Sequence, residues 1–369
     1  MRYKKITPFL VMDLVSRAKE YKEVIYFEIG EPALKPSSLV SKALKEAVDN
    51  EIFGYTPTEG LYELREKISS HYKREYNLEI DPSLILVTPG TSNAFLIAYL
   101  LTLNQGDTLG ISDPSYPCYK NFATMVDVEV KRFNIDKSTN YMIRSSMLEG
   151  QKINALHIST PSNPTGNIYE DEVLEELINY CKDNKISFIS DELYHGLVYD
   201  KKPKSALNFS RDVIVINGFS KYFCMPGLRV GWMILPPNLI KSALNIAQNL
   251  YLSAPTISQY GAISAFDYSY LDYVKAEYKR RRDYLYSELS SIFEIEAKPD
   301  GAFYLWCDIS KYSSNGVDFS YELLDNIQVA ITPGVDFGDY NTKTKLRFSY
   351  SRSIEHMREG VRRLREYLL

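Results

Sequence analysis

Residues 153–196 read INALHISTPSNPTGNIYEDEVLEELINYCKDNKISFISDELYHG. An apolar run over 153–160 ends in a turn rich in Pro and Gly. EVLEELINYCKDN follows with apolar residues at helical spacing, and a second apolar run, ISFIS, stops at two acids. Strand, helix and strand in this order build a parallel pair, because parallel strands need a crossover connection. Both strands read as continuous apolar runs rather than alternating ones, the pattern of a sheet covered on both faces.

The same grammar extends outward. LILVT, TLGIS and VEVKRFNI precede this stretch; VIVING and RVGWMIL follow it. SSLVSKALKEAV places Leu39, Val40, Ala43, Leu44 and Ala47 on one helical stripe. GLYELREKISSHY does so with Leu61, Leu64, Ile68 and Tyr72. The alternation predicts an α/β domain with a mostly parallel, doubly covered sheet. From about residue 271 the chain changes character. The long charged helix YVKAEYKRRRDYLYSELSSI leads to strand-like AFYLWCDI and KLRFSYS and a last helix, MREGVRRLREYLL. This predicts a smaller α+β domain, to which the first few dozen residues return. The expected division is an N-terminal arm (1–14), a small domain (15–45 and 271–369) and a large domain (46–270). The basic run at 279–282 reads as a solvated helix face.

Composition sets the limits. The 369 residues are 45% apolar and 24% charged, which excludes a disordered tail, a collagen-like fibre and a disulfide-stapled miniprotein. A net charge of −4 gives no field for nucleic acid or an anionic membrane. Cys118, Cys181, Cys224 and Cys307 form no CxxC pair and the histidines show no HExxH spacing. The expectation is therefore no metal site, and reduced thiols in a cytoplasmic protein. MRYKKITPFLVMDLV superficially resembles a signal peptide, but Pro8 and Asp13 interrupt it and no A-x-A site follows. The longest apolar stretch, 94–101, is too short to span a bilayer.

Six segments hold the side chains that can do chemistry. TPGTSNAF (88–95) turns a strand into a helix whose first N–H groups suit a phosphate; an ordinary capped turn reads the same way. DPSYPCY (113–119) aims Tyr116 from a loop fixed by two prolines, a ring that stacks on a flat ligand or merely packs. STPSNPTGNI places Asn163 before a proline whose peptide bond can be cis, either in a site or in a surface turn. ISFISDELYHG runs a buried strand into Asp191 and Glu192, then Tyr194; a carboxylate there needs a cation, unless it caps a helix. NGFSKYFCMPGLRVGW ends a strand in Ser220 and Lys221, with Arg229 eight residues later. A lysine among apolar neighbours can serve as a nucleophilic amine, although most single lysines are solvated. KLRFSYSRS sets Arg347, Ser349 and Ser351 opposite Leu346, Phe348 and Tyr350. That guanidinium either clamps a carboxylate or lies in water.

Taken in order, these segments resemble the class I/II aminotransferases, fold-type I enzymes that use pyridoxal 5′-phosphate (PLP). The match runs from Pro8 to the C-terminus and includes FEIGEPALKPS, GYTPTEGLYELREKI, PDGAFYLW and ITPGVDFG. The resemblance implies a large domain with a mostly parallel seven-stranded sheet between helices, plus a smaller α+β domain. It implies that Lys221 forms the internal aldimine, the Schiff base with PLP, and acts as general base. Asp191 keeps the pyridine nitrogen protonated; Tyr194 and Asn163 hydrogen-bond the phenolic oxygen. Tyr116 stacks on the ring. Thr91, Ser92, Ser220 and Arg229 cradle the phosphate. Tyr55 and Ser253 reach the phosphate of the partner subunit, which requires a homodimer with shared sites. Arg347, assisted by Asn163 and the backbone of Gly30, binds the substrate α-carboxylate.

The activity so implied moves the amino group of an L-amino acid to 2-oxoglutarate or pyruvate by a ping-pong aldimine/ketimine cycle. A PLP-dependent C–S β-lyase on the same fold, acting on conjugates such as cystathionine, is the alternative. A fold-related DNA-binding regulator and a two-domain solute-binding protein are weaker ones. Three departures from the family pattern stand out. Gly218 replaces a Ser common three residues before the lysine. Ser92 replaces a Lys, and NLYLSAP lacks an Arg, that some relatives use for a distal carboxylate. Tyr116 replaces Trp or Phe. The second departure favours a neutral or aromatic donor over a dicarboxylate.

Overall fold

The computed structural model describes residues 2–369. Its seven-stranded sheet has the order Ile85–Thr88, Gly231–Ile234, Ile214–Gly218, Ser187–Asp191, Ala155–Ser159, Thr108–Asp113, Glu129–Asn134. Only Gly231–Ile234 runs against the others. Five of these strands lie within the apolar runs of the sequence, and Thr108–Asp113 and Ser187–Asp191 run one residue past theirs, each to an Asp. The reason those runs are continuous is visible in the packing. Ile214 and Ile216 face one apolar cluster, with Ala94, Phe95 and Ala98 of the helix Thr91–Thr102. Val215 faces a second cluster, with Leu177 and Ile178 of the helix Asp171–Asp183. Side chains on both faces of the central strands meet a helix layer, whereas the edge strand Glu129–Asn134 exposes Glu129, Lys131 and Asn134.

The smaller body is a four-stranded antiparallel sheet, ordered Thr332–Pro333, Lys345–Ser349, Tyr304–Asp308, Glu294–Ile295. The N-terminal chain returns to it, with Ile25–Tyr26 pairing in parallel with Val329–Ala330. The expected division points at 14 and 45 fall inside the helices Leu10–Ala18 and Ser38–Asp49. In Ser38–Asp49, Val40 and Ala47 are buried but Leu39 is 49% exposed. The helical stripe therefore begins one residue later than its apolar composition suggests.

One expectation is corrected in part in the long helix Tyr268–Leu289. Of the run at 279–282, Arg280 is exposed and Lys279 half-buried, as on a solvated face, but Arg281 and Arg282 are 5% and 1% exposed. Leu271, Val274, Tyr278, Arg281, Arg282, Leu285 and Leu289 form the buried stripe, so helical phase carries both arginines inward. Arg281 donates to Glu277 at 2.8 Å and to the Ser351 carbonyl, and Arg282 donates to Asp200 at 2.6 Å and to the Pro299 carbonyl at 3.1 Å. The guanidiniums tie this helix to one end of the smaller sheet, where Lys345–Ser349 finishes and Tyr304–Asp308 begins, and to Asp200. Among the described residues no helix is long and apolar enough to cross a membrane.

Candidate active site

The sheet delivers its chemistry to one edge. Parallel strands end together, and in such sheets a crevice opens beyond their carboxyl ends. Asp191 is the last residue of its strand. Thr91 lies three residues past Thr88, Tyr116 three past Asp113, Asn163 four past Ser159 and Lys221 three past Gly218. Because Gly231–Ile234 runs the other way, Arg229 arrives at the same edge just before that strand begins. The smaller sheet supplies Arg347 from across the crevice.

These residues enclose a cavity of about 300 Å³, whose walls include Gly30, Thr91, Ser92, Tyr116, Asn163, Asp191, Tyr194, Ser220, Lys221, Arg229 and Arg347. Tyr55 stands outside it and is 83% exposed, and Ser253 is not a wall residue either. Their segments are held side by side on the surface, since Thr256 donates to the Gly54 carbonyl at 2.7 Å and Gln259 to Thr56 at 2.8 Å.

The Lys221 amine donates to the Gly30 carbonyl at 2.7 Å and lies 6.0 Å and 5.9 Å from the Tyr194 and Phe303 ring centres. Burial, then the positive charges of Arg347 and Arg229, lowers its pKa to about 8; Glu31 and Asp191 oppose this weakly. Burial raises the Asp191 pKa to about 6, against hydrogen bonds from the Tyr119 hydroxyl (2.5 Å) and the Leu193 backbone (3.0 Å). Tyr194 shares a 2.7 Å hydrogen bond with Tyr304, and burial lifts its pKa well above the usual value. The Arg347 guanidinium donates to Asn163 at 2.8 Å and to the Glu28 carbonyl at 2.6 Å. It lies 4.3 Å over the Tyr304 ring and 4.7 Å over Phe337. Asn163–Pro164 is cis.

At the other end, the helix Thr91–Thr102 starts from Gly90 at φ +76° with no side-chain cap, so its first N–H groups remain available. A Cβ on Gly90 would strike the Arg229 guanidinium. Gly218 has a similar cause: a Cβ there would come 3.0 Å from Thr91 Cγ2 and 3.2 Å from Gly231 Cα.

A titration checks the Lys221 environment directly. Competitive labelling of amines on the cofactor-free protein is expected to give Lys221 a half-point near pH 8, against about 10.4 for a solvated lysine. A half-point above about 10 would mean that the amine is solvated.

Several wall residues escape a reading by sequence. Glu28 is 1% exposed, Tyr119 holds Asp191, and Tyr304 carries both Tyr194 and Arg347. Phe9, Val11 and Met12 cover the cavity from the N-terminal arm. Asp336 pins that arm by accepting from the Leu10 and Val11 amides at 2.8 and 2.9 Å.

A family profile described as Aminotransferase class I and II matches residues 22–364. The (5-formylfuran-3-yl)methyl phosphate transaminase of Methanocaldococcus jannaschii is 36% identical over 98% of this chain and 96% of its own. The aspartate aminotransferase of Sulfurisphaera tokodaii is 35% identical over 94% and 90%. A crystal structure of an aminotransferase from Mycobacterium tuberculosis superposes with a TM-score of 0.96 at 31% identity, covering 100% of this chain and 98% of that one.

Proposed function

The chain belongs to the class I and II aminotransferase family, PLP-dependent enzymes of amino acids and oxo acids, and from that premise we propose that it moves the amino group of a neutral or aromatic L-amino acid to a 2-oxo acid without a distal carboxylate, pyruvate rather than 2-oxoglutarate. The substrates of its relatives differ, so the donor must be read from the cavity itself.

The wall residues fit the cofactor. The uncapped helix start beside Arg229, kept open by Gly90, matches a phosphate in charge and donors. Asp191 is a buried carboxylate with no cation bonded to it, a costly state that a protonated ring nitrogen relieves. Thr91, Ser92, Ser220 and Arg229 would hold the phosphate, Tyr116 the ring face, and Asn163 and Tyr194 the phenolic oxygen. When bound, PLP supplies an aldehyde that captures amines and a ring that accepts the electron pair left at the substrate Cα.

The residues then divide the work. Arg347 and Asn163 fix the substrate carboxylate, which presents Cα to the amine of Lys221. That amine, largely neutral only above about pH 8 when free, would take the proton from Cα and return it to the carbon on the far side of the amino nitrogen. Tyr304 and Phe337 sandwich the Arg347 guanidinium and keep water from its faces. Tyr55, Ser253 and the 68% exposed Phe53 share a surface, which supports a homodimer in which each subunit completes the other's phosphate site.

The observation that carries the choice of donor is the cation count. Lys221, Arg229 and Arg347 are the only cations lining the cavity among the described residues, and each already has a task. None remains for a distal carboxylate, while Phe9, Val11 and Met12 offer an apolar cover. The test is a half-reaction screen on holoenzyme, following the cofactor's visible absorbance with each amino acid. Neutral or aromatic amino acids are expected to change it fastest. Fastest change with aspartate or glutamate, or release of ammonia and thiol from cystathionine in place of an oxo acid, would overturn the reading.

A further inference from the structure

Glu28 is a carboxylate in the wall of the reaction cavity, 1% exposed, whose Oε2 has no hydrogen-bond partner among the described residues. Buried acids are normally paired, so an unpaired one calls for an explanation. Structural support is not that explanation. The contacts to Arg347 and Thr332 are made by the Glu28 backbone carbonyl, at 2.6 and 2.7 Å, and any residue would provide them. Glu28 stands two residues before Gly30, which holds the Lys221 amine. Its Cα is thus at most about 7 Å along the chain from the Gly30 Cα. The cavity wall also holds the apolar Val11, Met12, Ile29 and Phe337, beside Arg347 and Thr332 that bond the Glu28 carbonyl.

We propose that Glu28 is a specificity-determining residue: its carboxylate accepts a hydrogen bond from the tip of the donor's side chain, and so selects amino acids with an apolar body ending in an O–H or N–H group. The inference rests on the aminotransferase reading of this cavity and names the substrate class within it. The apolar part of the wall suits the body of such a side chain, and the unpaired Glu28 oxygen suits its tip. A carboxylate tip would meet Glu28 as a like charge, in keeping with the missing cation. Burial, opposed by the residue's own backbone and by Arg352 and Arg347, pushes the Glu28 pKa up to about 7. A donor arriving with the substrate stabilises the charged form that burial penalises.

Matched pairs isolate the tip. On holoenzyme, kcat/KM is measured for tyrosine against phenylalanine, and for lysine against norleucine; the two pairs separate a neutral donor from a cationic one. In at least one pair the donor-bearing member is expected to lead by about tenfold or more, the worth of a hydrogen bond to a charged group. Glu28→Leu is expected to bring that ratio within about twofold of one, with Glu28→Gln between the two. The ratio cancels a general loss of activity. Calorimetry adds a readout free of turnover: 3-(4-hydroxyphenyl)propanoate against 3-phenylpropanoate, or 6-aminohexanoate against hexanoate, on the wild-type protein. The favoured pair is expected to show the same preference in binding, and this arm needs no variant to fold. Ratios near one in both pairs, a preference that survives Glu28→Leu, or failure of all four amino acids to react would overturn the proposal. If no amino acid of any kind alters the cofactor's absorbance, the aminotransferase reading falls instead.

Discussion

Replacing Lys221 by alanine is expected to lower kcat by about 10⁴-fold or more, the upper end of what a positioned base contributes together with covalent capture. No neighbour stands ready to substitute. The other cations of the cavity are Arg229 and Arg347, and guanidiniums neither deprotonate near neutral pH nor attack carbonyls. The fold is expected to survive. The amine makes one hydrogen bond, to the Gly30 carbonyl, and burial lowers its pKa, so its removal relieves a desolvated charge. The melting temperature should therefore stay within a few degrees while turnover vanishes. A small primary amine such as ethylamine, sized for the space the side chain leaves, should restore part of the activity. Full activity in the variant would sink the assignment of Lys221.

Much of this was legible in the sequence, and the physical reason is strand-end geometry. Asp191 follows an apolar run directly and Lys221 comes three residues after another ends, where a charge has no business unless a crevice receives it. The parallel character of the sheet follows from the same runs; its strand order does not. What escaped depends on pairing across long separations. Tyr119 stands three residues after Tyr116 in one quoted segment, yet nothing local says that its hydroxyl finds Asp191, 72 positions away. Glu28 lies in the segment that contributes Gly30, and its burial is decided by strands more than 300 residues distant. Arg281 and Arg282 were misread because a run of charges looks solvated, although the stripe of Leu271, Val274, Tyr278, Leu285 and Leu289 already fixes their phase inward. Side-chain type outweighed period there, and period was the better guide.

Asp191→Asn should be the most informative substitution after Lys221, because it removes a charge and little else. The amide keeps the shape, and its oxygen can still accept from the Leu193 backbone; the Tyr119 hydroxyl can turn to accept where it now donates. Packing is therefore conserved, and the cost of a buried carboxylate disappears. The melting temperature should hold or rise slightly. Activity should not follow it. Without the negative charge nothing favours a protonated ring nitrogen, and kcat/KM should fall by about 10²- to 10³-fold, the range for removing a preorganised electrostatic partner. A pH series distinguishes charge from shape. In the wild type, burial sets the Asp191 pKa at about 6 before the cofactor binds, so the carboxylate is charged above that pH and neutral below it. PLP affinity of the cofactor-free protein should accordingly weaken as pH falls through about 6. In the Asn variant that step should be absent, and affinity should be uniformly weak. Tyr119→Phe should move the wild-type step upward, since the hydroxyl stabilises the charged form. A step that persists unchanged in Asp191→Asn would assign it to another group and remove the charge at 191 from the chemistry.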